Sequence, residues 1–226
     1  RPEYNGAQDY DYIFRCTEMA GKIVHIPRVL YHWRVHSAST ADNPASKLYA
    51  YEAGKKAIEG NLARCGEEGT VTLRSDYGFY DVDYKLRGTP LVSILIPNKD
   101  QADTLRTCLE SIKKKCMYPS YEILIIENNS TEEATFSYYK ELEAQGIRVL
   151  KYPKQGFNYS AINNFGVKEA KGEYLLFLNN DMEIITPDFM EKMVSNLQRP
   201  QIGAVGAKLY YPDNTVQHAG IILSLI

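Results

Sequence analysis

The 226-residue sequence predicts an α/β fold: a mostly parallel sheet flanked by helices, with a mainly helical N-terminal segment ahead of it. Three observations carry that expectation. From Leu91 onward, short apolar runs alternate with stretches whose apolar residues recur at helical spacing, the βαβα rhythm of a parallel sheet with right-handed crossovers. The runs are continuously apolar, as strands buried on both faces are. Each run also breaks off abruptly into polar residues. The first 90 residues lack this rhythm, and the change falls near Arg87-Gly88-Thr89-Pro90.

The elements follow in order. Residues 10–20 read as a short helix closed by Gly21. Residues 22–26 and 29–33 read as extended segments around Pro27. Residues 44–64 form a long helix with Leu48, Tyr51, Ala57, Ile58 and Leu62 on one side. Residues 71–73 and 79–84 suit a hairpin. In the second half, 91–97, 121–127, 147–152 and 173–178 are strands, and 202–209 is a further one. Between them lie helices at 101–115, with Leu105, Cys108, Leu109 and Ile112 in register, at 131–144 and at 160–170. Ser130 or Thr131 would cap the second of these, and Gly146 would end it. Pro187 would open another helix at its first position.

Composition sets outer limits. Hydrophobic residues make up 44% and charged residues 24%, as in an ordinary globular protein with a real core. A net charge of −2 argues against a nucleic-acid partner held by bulk electrostatics. No apolar run approaches the ~20 residues of a membrane span. Cys16, Cys65, Cys108 and Cys116 form no close pair and accompany no His cluster, so they read as reduced structural cysteines of a cytoplasmic protein. The 18 tyrosines read mostly as half-buried packing residues. A start at Arg1 and a stop inside an apolar run at Ile226 suggest a piece of a longer protein.

The chemistry sits at the strand ends. They read Pro97-Asn98-Lys99-Asp100, Glu127-Asn128-Asn129-Ser130, a third stretch from Tyr152 to Ser160, and Asn179-Asn180-Asp181. In a parallel sheet these lie along one edge, where ligands of open α/β sheets bind. A carboxylate preceded by amides can hold a hard divalent cation through oxygen, and the cation can hold phosphates. Each cluster alone would be an ordinary solvated loop; four in succession favour a nucleotide cleft.

These blocks resemble family 2 glycosyltransferases, which have the nucleotide-sugar-binding GT-A fold. "VSILIPNKD", "EILIIENNSTEE", "FNYSAINNFGVKEAKGEYLLFLNND" and "GAVGAKLYYPDNTVQHAG" match in order from about Leu91 to Ile226. The closest likeness is to the branch that builds bacterial surface polysaccharides of rhamnan or O-antigen type. The resemblance implies that Pro97 and Lys99 lie beside the nucleobase. It puts Glu127, where the family usually has Asp, on the uracil or ribose, with Asn128 and Asn129 completing the pocket. Asn158 and Asn163 match positions facing the nucleotide and sugar. Asn179-Asn180-Asp181 stands for the family's Asp-x-Asp, with Asp181 as the ligand of Mg²⁺ or Mn²⁺ and Asn179 as a weaker contact. His218 would lie toward the donor sugar or the acceptor. The stretch "YNGAQDYDYIFRCTEMAGKIVHIPRVLYHWRVHSAST" resembles the tail of another domain of this family. There Gln8-Asp9 matches the late Glu-Asp motif, Asp9 would be the general base, and His32 and His36 follow it.

The implied organisation is 1–42 as the remnant of an upstream domain, 43–90 as a linker with a hairpin, and 91–226 as a truncated nucleotide-sugar-binding half. The implied activity is inverting transfer of a sugar from a UDP- or dTDP-linked donor to a glycan or lipid-linked acceptor in cell-surface polysaccharide synthesis. Its setting would be the cytoplasm or the inner face of the cell membrane. Residues 4–36 could fold back onto the downstream sheet or onto a neighbouring copy, a route to self-association. The rival reading is a fragment that binds nucleotide sugars, or packs against other parts of its parent protein, without turnover. A nucleotidyltransferase is a weaker third, because Asn98-Lys99-Asp100-Gln101 has no glycine.

Overall fold

The computed structural model describes residues 1–32 and 47–221. The chain divides into two compact units, Arg1–Lys85 and Leu86–Ile226.

In the first unit a single 3-10 turn, Pro2–Tyr4, precedes helix α1 (Gln8–Met19). Asp9 and Asp11 lie in the first turn of α1, where the helix dipole favours negative charge. α1 packs against α2 (Leu48–Cys65), which ends in a left-handed Gly66. Strands β1 (Gly69–Leu73) and β2 (Tyr80–Tyr84) pair as the expected antiparallel hairpin. Ile58 and Leu62 of α2 meet Val71 of β1 in a small core, with Phe14, Tyr80, Val82 and Tyr84 packed around it. Polar bonds reinforce the helix pair: Glu18 accepts two hydrogen bonds from Arg64, both at 2.8 Å, and one from Asn61 at 2.7 Å. Asp11 is buried and accepts from Arg15 Nε at 3.0 Å.

Two expectations for this unit change. Among the described residues of 22–33, none forms a strand, and the side chains from Lys22 to His32 are exposed. A β-propensity run needs a partner backbone, and this one has none among the described residues of its unit. Leu48, expected on the buried side of α2, is exposed at the helix's first turn. The expected start of α2 at 44–46, Trp33 and His36 lie outside the described residues.

The second unit is built on four parallel strands: β3 (Val92–Asn98), β4 (Tyr121–Glu127), β5 (Arg148–Lys151) and β6 (Tyr174–Phe177). Their order across the sheet is β5-β4-β3-β6. Helices α3 (Ala102–Lys115), α4 (Glu133–Ala144), α5 (Tyr159–Glu169) and α6 (Phe189–Leu197) complete the layers. Along β3 the side chains divide by parity, as strand geometry requires. Val92, Ile94 and Ile96 join the core under α3, α4 and α6; Leu95 joins Leu124, Ile126 and Ile162 under α5. Ile94, Leu95 and Ile96 are completely buried, each contributing about 2 kcal/mol of transfer free energy. The sheet flanked by helices on both faces is the architecture the apolar runs predict.

Local signals explain the helix ends. α4 stops in a Schellman motif: Gly146, at φ 84°, donates to Glu143 O, and Ile147 donates to Leu142 O. Close approach explains Gly172, whose N–H donates to Ser93 Oγ at 2.8 Å; a Cβ there would lie 2.6 Å from Ser93 N.

Three expectations need correction. The α4 cap is Glu132 rather than Ser130 or Thr131, and its side chain makes no capping bond; just ahead of the helix, the Asp100 carboxylate accepts from the N–H groups of Thr131 and Glu132 at 2.7 and 2.9 Å. Pro187 lies one residue ahead of the cap Asp188 rather than at the first helical position. The strand expected over 202–209 is not formed. Only β7 (Leu209–Tyr210) pairs, antiparallel with β8 (Val216–His218), around a turn at Asn214. Residues 203–208 are mostly exposed and unpaired, so an apolar run again fails to become a strand without a neighbour.

Candidate functional site

The site follows from the strand order. The chain lays down β3, β4 and β5 in one direction, then returns with α5 to place β6 on the other side of β3. The carboxyl ends of β3 and β6 therefore diverge into a crevice at a topological switch point, the usual ligand position in such sheets.

Loop residues lock the crevice walls together. Asn98, at the end of β3, is 2% exposed. Its Oδ1 accepts from Asn180 Nδ2 at 2.6 Å, and its Nδ2 donates to Asp100 O at 2.9 Å and Tyr139 OH at 2.7 Å. Asn128 N–H donates to Asn98 O at 2.8 Å. Asp100 N–H donates to Ser130 Oγ at 3.0 Å. Asp100 and Gln101 both adopt left-handed backbone, at φ 54° and 59°, as does Asn129 at 58°. Such conformations cost non-glycine residues free energy and persist only when the surroundings enforce them. The N–H groups of Glu132 and then Thr131 hold the Asp100 carboxyl below its usual range.

Four of the expected residues are committed to internal bonds. Glu127 is buried, and its Oε1 accepts from Ser130 N–H at 2.5 Å, closing its own loop. Asn129 Nδ2 donates to Lys154 O at 2.9 Å, tying the loop after β4 to the loop after β5. Asn158 Oδ1 caps α5 through Ala161 N–H at 3.0 Å. Asn180 is spent on Asn98.

The remaining expected residues sit as follows. Pro97 is half-buried and Lys99 exposed at the end of β3. Asn128 is buried, its Oδ1 accepting from Asn129 Nδ2 at 2.9 Å. Asn163 is buried on α5; its Nδ2 donates to Tyr159 O at 2.9 Å, while its Oδ1 has no partner. Asn179 is exposed, its Oδ1 accepting a 3.3 Å bond from Tyr159 OH. Asp181 is exposed in the turn directly after β6. The structure thus gathers the ends of β3, β4 and β6 and the start of α5. His218 lies apart in the β7–β8 sheet, half-buried. Asp9 belongs to the first unit; it is exposed, and its Oδ1 accepts from Tyr10 N–H at 2.9 Å.

Sequence reasoning placed Asn98 and Asp100 in a strand-end cluster without giving either a role, and missed Tyr139. A signal existed for Asn98, a polar residue continuing an apolar strand. Nothing local marks Tyr139, which reads as one more helix packing residue. Burial pushes its phenol up, so it stays a neutral hydrogen-bonding group.

The residues fit a hard cation. Among the described residues no three of His, Cys, Asp and Glu converge as a metal site. A Mg²⁺-type ion asks for less: one or two carboxylates plus the phosphates of its substrate. The Asp181 carboxylate meets that need, and Asn179 Oδ1 keeps a lone pair to spare. Beneath this turn, the Cys108 thiol donates to Asn179 O at 3.8 Å, and burial pushes it up to about 11.

Similarity to known proteins extends over the whole chain. The family model described as glycosyl transferase family 2 matches residues 93–221. An uncharacterized protein of Sinorhizobium fredii is 42% identical over all of this chain and 25% of its own length. The O-antigen biosynthesis protein RfbC of Myxococcus xanthus is 43% identical over all of this chain and 18% of its length. The chain thus spans a quarter or less of these two curated relatives. Among solved structures, a mannosyltransferase from Pyrobaculum calidifontis in complex with GDP-Man and Mn²⁺ is similar at 18% identity and a TM-score of 0.48, over 73% of this chain and 46% of that one.

Proposed function

Because the chain belongs to glycosyl transferase family 2, we propose that its second unit binds a nucleotide-diphosphate sugar at the β3–β4–β6 crevice for inverting transfer to a glycan or lipid-linked acceptor. One observation carries this: an exposed carboxylate, Asp181, directly follows β6 at the switch point, beside two interlocked strand ends rich in amides. The likeness to RfbC supports cell-surface polysaccharide synthesis as the setting.

The chemistry divides into parts. Leaving of a nucleotide diphosphate puts negative charge on phosphate, and the sugar becomes oxocarbenium-like. Asp181, with Asn179 Oδ1 and the donor's phosphates, would hold Mg²⁺ or Mn²⁺, which would supply Lewis-acid neutralisation of that charge. Pro97, Lys99 and the loop from Glu127 to Asn129 form the nucleobase side. Glu127 acts there through the loop it closes rather than by reaching the base. Lys99, cationic and exposed, suits a phosphate or uracil oxygen. Asn163 Oδ1 is a buried acceptor awaiting a donor such as a sugar hydroxyl. Asn158 orients α5, and His218 is kept for the sugar or acceptor side. Asp9 is the proposed general base of the upstream domain whose tail the first unit resembles. UDP- and dTDP-linked sugars are the donors to try first.

A second reading has an observation of its own. The carboxylates closing β3 and β4, Asp100 and Glu127, are both spent on backbone N–H groups, which leaves Asp181 as the exposed one beside them. The second unit alone then binds donor without deprotonating an acceptor. Nucleotide release from UDP- and dTDP-sugars with MnCl₂ tests the first reading, with Asp181→Ala and Asp9→Ala beside wild type. Release abolished by Asp181→Ala is expected. Metal-dependent binding with no release in any condition supports the second reading, and absence of binding contradicts both.

A further inference from the structure

We propose that Asn98 is a positioning residue: with Asn180 it forms a latch that holds the Asp181 turn at the angle the nucleotide diphosphate and its cation require. The inference rests on the proposed reading of the crevice and deepens it.

The turn after β6 is otherwise held by two long bonds to Asn179, from Tyr159 OH at 3.3 Å and the Cys108 thiol at 3.8 Å, and by Ile184 N–H donating to Ser111 Oγ at 3.0 Å beyond it. The β3–β6 ladder ends at Leu95–Phe177, and Leu178 N–H makes one more bond, to Leu95 O at 3.0 Å. β3 itself continues to Asn98, paired to β4 as far as Glu127. Past Leu178, the side-chain bond from Asn180 Nδ2 to Asn98 Oδ1 crosses the opening between the two strands. It joins the residue next to Asp181 to the best-anchored point of the crevice.

Asn98 suits that role because its amide can face only one way. Both Nδ2 hydrogens are used, on Asp100 O and Tyr139 OH. Turning the amide over would set its oxygen against the Asp100 carbonyl oxygen. Tyr139 OH and Ser130 Oγ, 3.3 Å apart, continue the chain to the loop after β4. In a low-dielectric interior such a network holds its members firmly when every polar group is satisfied. Aspartate in place of Asn98 would lose both donors; leucine would release Asn180. The amide of Asn180, already committed, therefore acts on the site through geometry rather than by touching the donor.

A double-mutant cycle tests this. Titrate the full chain calorimetrically with UDP, dTDP and GDP, each with and without MnCl₂, for wild type, Asn98→Ala, Asn180→Ala and the double variant. The latch predicts that each single variant weakens Mn²⁺-dependent nucleotide binding about tenfold and that the double variant is no weaker than either. It also predicts that metal-free nucleotide binding by Asn180→Ala matches wild type, which a general loss of structure would not allow. Should Asn98→Ala fail to fold, Tyr139→Phe takes its place in the cycle, with a smaller loss expected and the same non-additivity. Independent, multiplying losses, or wild-type affinity in Asn180→Ala with MnCl₂ present, would overturn the latch and leave the nucleotide reading standing. A wild-type chain that binds none of the three nucleotides removes that reading, and the latch with it.

Discussion

Asn163, proposed to face the donor, tests whether one side chain serves binding at the expense of stability. It is 5% exposed, and its Oδ1 has no hydrogen-bond partner. An unsatisfied buried acceptor costs about 1–3 kcal/mol, whereas an apolar residue of similar shape carries no such penalty. Asn163→Leu is therefore expected to raise the melting temperature and to weaken nucleotide-sugar binding, read by a thermal scan and by calorimetry on the same sample. A variant that loses stability would mean that the bond to Tyr159 O outweighs the orphaned oxygen. Glu127 carries a different lesson. Its type and position suggest a ligand contact, yet the longer side chain bends back to Ser130 N–H. Sequence shows which residue stands at a strand end but not whether a neighbouring N–H will claim it first. The same holds for Asp100, which reads as a loop carboxylate and turns out to brace the segment just ahead of α4 through the N–H groups of Thr131 and Glu132.

Strands and helices were legible wherever a partner exists to pair with. β3, β4, β5 and β6 formed within a residue or two of their apolar runs because each adds to one sheet and is covered by helices. The runs at 22–26 and 202–208 are also largely apolar and form no strand, since pairing is a tertiary fact that a local pattern cannot supply. Bracing between loops was less legible, because Asp100 lies 31 residues from Thr131, whose N–H donates to it. The α1–α2 pair gives a pH test. Hydrogen bonds from Arg64 and then Asn61 pull the Glu18 carboxyl from its ordinary 4.5 down to about 2. A carboxyl lowered on folding stabilises above its unfolded value and loses that contribution as pH falls through its folded value. Amide exchange in α1 and α2 should thus be slower in wild type than in Glu18→Gln at pH 6. The difference should close between pH 4.5 and about 2. An unchanged difference across that window would show that the bond to Arg64 does not depend on charge.

Taken together, the two units divide the expected functions unevenly. The second carries the crevice and every donor-side candidate, while Asp9 stands on the first. No helix among the described residues is long and apolar enough to cross a membrane. The resemblance read from four sequence blocks names the family that the match over residues 93–221 shows. The bracing of the site was hidden from it, because Asn98, Tyr139 and Asn180 meet only once β6 crosses to the far side of β3. The central claim is that a cation and a nucleotide diphosphate meet at the switch point between β3 and β6. Paramagnetic broadening by Mn²⁺, recorded on the isotope-labelled chain with UDP present, tests it most directly. The expected result is early loss of the amide signals of Asn179, Asn180 and Asp181, then those of Asn98 and Lys99, with Asp181→Ala abolishing the effect. Broadening centred on any other part of the chain, or unchanged by Asp181→Ala, would contradict it.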